Sequence, residues 1–352
     1  MIFHNTIVQF IAFLLPGKNL RHAFRAKYKR KTKYEKLIEE NKKLLQLIKS
    51  ATQKINELEG YIYANIRVAP LPSDSPVNYG KPSIYLSVAC IAKNEGPYIR
   101  EWIEYHKIVG VERFYFYDND SSDNTREVLE PYIRLGVVIY RRIEGRGMQL
   151  KVYADAVYNY RYETTWMALI DLDEYIVPIE KDNLQDVLKE YEQYPGLAVK
   201  WVCFDCNGHD EKPNDLGGMV TANYTRVLKN YNHPFNNPFK SIIRPSFVAA
   251  INGAHSCIYF KNRRAVNESF KEIPIGKESD PLGSVKKIRI NHYYSKSITE
   301  FKMKITRGNM MISRTYKDDD PRVVFKDETT QDKEIQKFLP KLNNALHITA
   351  IN

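Results

Sequence analysis

The chain has 352 residues, and 43% of them are hydrophobic, which is enough for a sizeable core. Its formal net charge is +11. Most of that excess comes from one run with no acid within it, made up of Lys18, Arg21, Arg25, Lys27, Lys29, Arg30, Lys31 and Lys33. No stretch of about 20 apolar residues is present, so the sequence predicts no membrane-spanning helix.

The cysteines predict neither a zinc site nor a disulfide framework. Cys203 and Cys206 form a C-x-x-C pair, and Cys90 and Cys257 stand alone. Zinc would need a second ligand pair at similar spacing. We therefore expect reduced, structural cysteines in a cytosolic protein.

Residues 1–33 predict an arm that lies on a membrane surface. The apolar stretch Ile7–Leu15 has helical spacing, is too short to span a bilayer, and is followed by the basic run. Such a pair of segments suits the anionic, cytoplasmic face of the inner membrane. The alternative is a helix that packs on the body of the protein or on a partner.

Residues 34–66 have the spacing of a coiled coil. One seam position is taken by Leu37, Leu44, Ala51 and Leu58, and the other by Tyr34, Asn41, Ile48, Ile55 and Ile62. Isoleucine and leucine in these positions, with a single asparagine, favour a parallel homodimer. The alternative is one long amphipathic helix that packs on the rest of the chain. Residues 67–82 contain four prolines and predict a linker.

Residues 83–310 predict an α/β domain with a mostly parallel sheet, and residues 311–352 a helical tail. Apolar strands alternate with amphipathic helices, a pattern typical of parallel β-α units. The predicted strands are Ile84–Ala92, Arg113–Tyr117, Val137–Tyr140 and Trp166–Ile170. The predicted helices are Pro97–Val109, Thr125–Leu135 and Gln149–Tyr160.

Polar clusters follow three of these strands, at Lys93–Glu95, Asp118–Asp123 and Asp171–Glu174. Ligands of parallel sheets bind at the carboxyl ends of strands, so the clusters predict a binding site there. Asp171 and Asp173 form a D-x-D pair that can reach one Mg²⁺ or Mn²⁺ ion.

The second cluster has two interpretations. Asp118 and Asn119 can read the polar edge of a base, or they can form Asx turns. Asp123 is expected to cap the helix that follows it.

Several motifs together resemble a known enzyme family. They are Ser87–Glu95, Tyr117–Thr125, the run WMALIDLDEYI over Trp166–Ile176, Phe239–Pro245 leading to His255, and Asn291–Ser297 with Phe301 and Lys304. They resemble family 2-like glycosyltransferases and, more closely, glycosyltransferase family 92 and its bacterial relatives. The resemblance covers about residues 83–308.

The resemblance implies a GT-A fold, which is Rossmann-like, a nucleotide-sugar donor and a divalent cation. By analogy Asp171 and Asp173 would hold the metal and the donor diphosphate. His255 would be the third metal ligand, with His292 as the alternative. The donor site would also include Ala92, Asn94, Glu95, Asp118 and Asn119.

An inverting transferase also needs a carboxylate base and cations for the leaving group. Asp205 or Glu211 is the predicted base, because the segment Trp201–Glu211 follows the D-x-D region at a suitable distance. Lys151, Lys240 and Arg244 are the predicted cations for the diphosphate.

We therefore expect a metal-dependent glycosyltransferase that transfers a hexose from a UDP-linked donor to a glycan or a lipid-linked glycan in polysaccharide biosynthesis. We expect no nucleic-acid partner. The main alternative is a nucleic-acid-binding coiled-coil protein that uses its basic arm. The acidic clusters at the strand ends disfavour it, because they repel phosphate. A further alternative is an inactive sugar-binding relative, which the intact Asp171 and Asp173 disfavour.

Overall fold

The computed structural model describes residues 17–26, 38–48, 50, 82–307 and 319–348. The chain divides into two compact units, Met1–Asn56 and Glu57–Asn352. The predicted apolar stretch, the basic residues from 27 to 33 and nearly all of the predicted linker lie outside the described residues. Within the described ranges, no helix has the length and apolarity needed to cross a bilayer.

The first unit is helical over residues 18–26 and 38–48. The second of these segments lies within the predicted coiled coil and carries a run of exposed apolar side chains. Leu44, Leu45, Leu47 and Ile48 are 53–66% exposed. The remaining heptads lie almost entirely outside the described residues, so the coiled coil stays a prediction.

The second unit holds the strands and the remaining helices. Its strands are β1 (Ile84–Ala92), β2 (Arg113–Asn119), β3 (Val138–Ile143), β4 (Thr164–Leu169), β5 (Glu174–Pro178), β6 (Gly196–Cys203), β7 (Arg226–Leu228), β8 (Phe239–Ile243), β9 (Val248–Ile251), β10 (Cys257–Tyr259), β11 (Val266–Asn267), β12 (Ile288–His292) and β13 (Thr329–Gln331). Its helices are α1 (Gly96–Ile108), α2 (Thr125–Arg134), α3 (Gln149–Tyr160), α4 (Leu184–Leu188), α5 (Val220–Asn223), α6 (Ile298–Arg307) and α7 (Leu339–Ile348).

The main sheet is mixed but mostly parallel, as predicted. Its strand order is β3-β2-β1-β4-β8-β6-β12-β5, and β11 pairs with β6. β8 is antiparallel to both of its neighbours, and β5 is antiparallel to β12. The chain leaves β1 on one side towards β2 and returns on the other side at β4, so the strand order reverses at β1. Ligands of such sheets bind at this kind of switch point.

Local sequence explains how the first helices begin. Pro97 lies in the first turn of α1, where its missing N–H costs no hydrogen bond. Asp123 accepts hydrogen bonds from the backbone N–H groups of Thr125, at 3.0 Å, and Gly96, at 2.9 Å. Asn124 takes the N-cap position of α2 without a side-chain cap hydrogen bond, so Asp123, the predicted cap, binds the first N–H of α2 from one residue earlier, and the same carboxylate binds the start of α1. A Cβ on Gly96 would lie 2.1 Å from the Asn124 side-chain oxygen, so a larger residue there would force that side chain to move.

The described C-terminal residues share the core of the sheet. Phe325, Ile335, Phe338 and Leu342 are buried in the same cluster as the β1 and β4 side chains. Arg289 of β12 donates two hydrogen bonds, of 2.6 and 2.7 Å, to the carboxylate of Asp332. Both side chains are 3% exposed. The segment predicted as a helical tail thus contributes to the packing and polar contacts of the sheet.

This packing predicts the effect of Leu342→Ala. Leu342 is fully buried on α7, so its truncation should lower the free energy of unfolding by about 2–5 kcal/mol. The matched control is Leu282→Ala, since Leu282 is 81% exposed and should change stability by less than about 0.5 kcal/mol. Urea unfolding followed by circular dichroism measures both. Equal stability for the two variants would show that α7 contributes nothing to the core.

Candidate functional site

A tight turn carries the D-x-D pair from β4 into β5. The Glu174 N–H donates to the Asp171 carbonyl at 3.1 Å, and the Asp171 N–H donates to Glu174 Oε2 at 2.9 Å. Leu172, between the two aspartates, is buried. Both ends of the turn are thus closed by hydrogen bonds, which fix Asp171 and Asp173 beyond the carboxyl end of β4.

Asp171 accepts hydrogen bonds from two further elements. Gln149 Nε2 and the Tyr153 hydroxyl, both on α3, donate to Oδ1 at 2.7 and 3.1 Å. Lys240 Nζ, on β8, donates to Oδ2 at 2.8 Å. Lys240, predicted as a cation for the diphosphate, thus contacts Asp171, and two side chains from the first half of α3 contact the same carboxylate.

Lys240 is an internal cation. Its side chain is 1% exposed, and its Nζ also lies 3.4 Å from Glu174 Oε2. Burial alone would lower the pKa of Lys240, but Asp171 and Glu174 outweigh it and hold that pKa well above its usual range. The ammonium therefore stays charged and joins the two carboxylates.

Within the described part of the chain, one group of side chains is close enough to bind a metal ion: Asp173, Glu174 and His292, with one ligand atom from each within 4.8 Å of the others. The strand register places them together, since His292 of β12 pairs with Glu174 of β5. The Tyr293 N–H donates to the Asp173 carbonyl at 2.8 Å. His292 Nε2 lies 3.6 Å from Asp173 Oδ2.

The electrostatics of this group fit a divalent cation. Burial lowers the pKa of His292, which favours the neutral imidazole that a metal requires. Burial raises the pKa of Asp173, but the charge of Lys304 is the largest opposing effect, and that pKa lies well below its usual range. Burial raises the pKa of Glu174 to about 8, so a bound cation would have to replace a proton on this group. Glu174 Oε1 is buried with no hydrogen-bond partner, as expected of an atom that awaits a ligand.

The candidate metal group contains His292 and not His255, which the resemblance implied as the third metal ligand. His255 Nδ1 lies 2.8 Å from the Phe239 carbonyl, and its ring meets the edge of the Trp201 ring. Trp201 also packs against His292, with ring centroids 4.4 Å apart. The structure thus brings the alternative, His292, to Asp173, and His255 is not part of that group.

The ends of β1 and β2 contribute the rest of the predicted donor site. Ala92 and Asp118 are register partners. Asp118 accepts from the Tyr140 hydroxyl at 2.7 Å and from the Ser121 N–H at 2.9 Å. The second bond reaches three residues on, one more than in the Asx turn predicted as its alternative role. Asn94 has a positive φ of 54°, and its side-chain oxygen accepts from the Ser122 N–H at 2.8 Å.

The other predicted donor-site residues are two buried side chains and one exposed lysine. Asn119 is buried at the end of β2. Glu95 is buried beside Lys296, with a nitrogen–oxygen distance of 3.5 Å. Lys151 is exposed in the first turn of α3, the helix that begins at Gln149.

Arg244 follows the end of β8 that lies away from the site. Its position therefore does not support its predicted role in binding the diphosphate. β8 runs antiparallel to β4, so its first residues reach the site while its end points away. From Lys240 to Arg244 the strand rises about 13 Å. Arg244 donates to the Glu192 carbonyl, and its guanidinium lies 4.7 Å from the Phe247 ring centroid. Sequence alone did not reveal the direction of β8.

The two predicted bases have different surroundings. Asp205 is fully buried, with oxygens that accept from Arg226 Nε and from the backbone N–H groups of Asn207 and Phe325. These contacts suit a structural carboxylate and leave no access for an acceptor. Glu211 is exposed and accepts a hydrogen bond of 2.7 Å from the Thr299 hydroxyl.

Sequence reasoning missed four residues that contact the central carboxylates: Gln149, Tyr153, Glu174 and Lys304. Glu174 directly follows the D-x-D pair, so its position was a usable signal. Lys304 Nζ donates to Asp173 Oδ2 at 2.7 Å. Lys304 had been noted only as part of the resemblance.

Residues 85–338 match the profile of Glycosyltransferase family 92. A glycosyltransferase family 92 protein of Oryza sativa subsp. japonica is 28% identical over 212 residues, which cover 59% of this chain and 33% of that protein. Galactan beta-1,4-galactosyltransferase GALS2 of Arabidopsis thaliana is 31% identical over 126 residues, 31% of this chain and 24% of that protein. The chain thus spans about a third or less of the length of these curated relatives.

The similarity to solved structures is weaker, both in sequence identity and in TM-score. Residues 1–349 of S. aureus TarS are 13% identical, with a TM-score of 0.33, over 68% of this chain and 69% of that one. The mannosyltransferase PcManGT of Pyrobaculum calidifontis, solved with GDP-Man and Mn²⁺, is 17% identical with a TM-score of 0.27, over 43% of this chain and 44% of that one. Scores this low support no argument about the site.

The contacts of Asp205 predict a structural effect of Asp205→Asn. The change leaves Arg226 without its charged partner and should lower the free energy of unfolding by about 2 kcal/mol, less than for a fully buried pair because Arg226 is 27% exposed. Urea unfolding measures the loss, and Asp327→Asn, at a side chain 69% exposed, is the control. Full stability with complete loss of transfer would instead make Asp205 the base.

Proposed function

Because the chain belongs to glycosyltransferase family 92, we propose that it transfers a hexose from a UDP-linked donor to a hydroxyl group of a glycan, with a divalent cation and with inversion. The observation that carries this proposal is the group Asp173, Glu174 and His292, next to Asp171, at the switch point of a mostly parallel sheet. The galactan galactosyltransferases among the relatives support a hexose donor and a glycan acceptor.

In this proposal the residues of the metal group bind the cation, and Lys240 positions Asp171. Asp173, Glu174 and His292 would hold Mn²⁺ or Mg²⁺, since hard oxygen ligands with one imidazole suit such ions. The bound cation would supply positive charge to the departing diphosphate. Lys240 holds Asp171 in one orientation towards the donor, because its buried ammonium cannot turn away from both carboxylates.

We assign the nucleoside of the donor and the catalytic base to other parts of the site. The ends of β1 and β2, with Asn94, Asp118 and Asn119, would receive the nucleoside. Glu211 is the accessible one of the two predicted bases, and we assign the proton transfer to it. Its carboxylate takes the proton of the acceptor hydroxyl while the new bond to the anomeric carbon forms and the bond to the diphosphate breaks.

Substitution of a proposed metal ligand should remove both Mn²⁺ binding and transfer. Asp173→Asn and His292→Ala should each lower the transfer rate by about a hundredfold or more, the order seen when one electrostatic contact to a developing charge is lost. The measurement is release of UDP from a panel of UDP-sugars, with Mn²⁺ or with EDTA, alongside Mn²⁺ binding.

The matched control for that experiment is His255→Ala. His255 lies outside the metal group, so the variant should keep Mn²⁺ binding and most of the transfer rate. Loss of Mn²⁺ from His255→Ala, with binding retained in His292→Ala, would reverse the assignment. Undiminished transfer in EDTA by the wild-type protein would refute the metal-dependent mechanism.

The exposed apolar residues of the helix 38–48 support a second proposal, which concerns assembly. Asn41, Leu44 and Ile48 fall at successive seam positions of the heptads, and the two apolar side chains are 55% and 53% exposed. We infer that a second copy of the chain covers them in a parallel coiled coil, with Asn41 fixing the register.

The coiled coil predicts a change of mass in solution. The double variant Leu44→Glu, Ile48→Glu places like charges in the seam and should convert a dimer into a monomer in light scattering. The control is Lys42→Glu, Lys43→Glu, outside the seam, which should leave the dimer intact. A dimer that survives the first variant would place the interface elsewhere.

A further inference from the structure

Lys304 places a positive charge on the carboxylate that the proposed metal site needs. Its Nζ lies 2.7 Å from Asp173 Oδ2 and donates to the Tyr294 carbonyl at 2.8 Å. The side chain of Asp173 is 13% exposed and that of Lys304 is 16% exposed. The contact is therefore largely shielded from solvent. Like charges repel one another more strongly in such a shielded site than in water.

A cation and this ammonium cannot share the carboxylate without strong repulsion. A hard divalent cation binds a carboxylate oxygen at about 2.1 Å. Lys304 at its present distance from the same group would then lie only a few ångströms from a double positive charge. One of the two must leave, and the double charge of the cation at a shorter distance from the oxygen favours departure of the lysine.

Lys304 is also the lysine that can move. Lys240, the other ammonium among the carboxylates, is 1% exposed and lies between Asp171 and Glu174. Lys304 projects from the second half of α6, between Phe301 and Ile305, which pack in one apolar cluster. Phe301 is buried, and Glu300 accepts from the Tyr224 hydroxyl at 2.8 Å and from the Ser297 N–H at 2.9 Å. Rotation of the Lys304 side chain therefore leaves the start of α6 in place.

We propose that Lys304 occupies Asp173 in the metal-free protein, that the divalent cation displaces it, and that the released ammonium then binds the diphosphate of the donor. This inference rests on the proposed function and adds to it an exchange of partners. Its consequence is that the cation and a nucleoside diphosphate promote each other's binding, because each supplies a new partner for a charge in the site.

The first test is Mn²⁺ binding alone, measured from the electron paramagnetic resonance signal of free Mn²⁺. Lys304→Met removes the competing ammonium and should tighten Mn²⁺ binding by roughly five- to tenfold. Lys302→Met is the matched control, because Lys302 is exposed on the same helix and tests the general effect of one lost charge. It should change the affinity by less than about twofold. Asp173→Asn should abolish binding.

The second test is UDP binding at saturating Mn²⁺, measured by calorimetry. Lys304→Met should weaken UDP by about tenfold, the order of one charge-assisted contact. Lys304→Arg should retain most of the affinity, since it keeps the positive charge. Thermal unfolding checks that each variant is folded, and Lys304→Gln replaces Lys304→Met if the latter is not.

The outcomes separate this inference from the proposed function. If Asp173→Asn abolishes Mn²⁺ binding but Lys304→Met binds it like the wild type, the metal site stands and the exchange is refuted. Weakened Mn²⁺ binding in Lys304→Met also refutes the exchange. If Mn²⁺ binds Lys304→Met but not the wild type, Lys304 blocks the site and is not displaced by the cation, which also refutes the exchange. If neither binds Mn²⁺, the metal site is wrong and the exchange is refuted with it.

Discussion

The burial of Lys240 between Asp171 and Glu174 is the constraint on which the site depends. A cation removed from water needs charged partners close by, and the two carboxylates likewise need the ammonium. This mutual requirement ties β8 to the turn between β4 and β5 at one edge of the sheet. The central acidic groups are therefore held before any ligand arrives, and little ordering remains for the donor to bring about.

The site combines three acidic side chains with two lysines. Asp171, Asp173 and Glu174 face Lys240 and Lys304, whose contacts differ in kind. Lys240 is enclosed and serves as a fixed part of the framework. Lys304 reaches the site with a flexible, partly exposed side chain, so in the proposed exchange its charge moves from Asp173 to the donor. One fixed and one exchangeable ammonium would then serve both the ligand-free site and the site with its anionic donor.

The sequence predicted the first half of the sheet well and the second half poorly. Strand Ile84–Ala92 and helix Gln149–Tyr160 have the predicted bounds, because successive β-α units pair with near neighbours and their apolar periodicity is local. The direction of β8 depends on partners far along the chain, and with it the placement of Arg244. The choice between His255 and His292 also depended on register, since only the pairing of β12 with β5 brings His292 to Glu174.

The strand order has a consequence for the synthesis of the chain. β5 pairs in the main sheet with β12 alone, and about 110 residues separate the end of β5 from the end of β12. At a translation rate of about 5–20 residues per second, β5 would emerge roughly 6–20 s before its partner. During that interval Tyr175, Ile176 and Val177, which are buried in the finished fold, form part of an unpaired apolar edge. The edge formed by β5 in this chain therefore stays without its β-sheet partner until β12 has been synthesised.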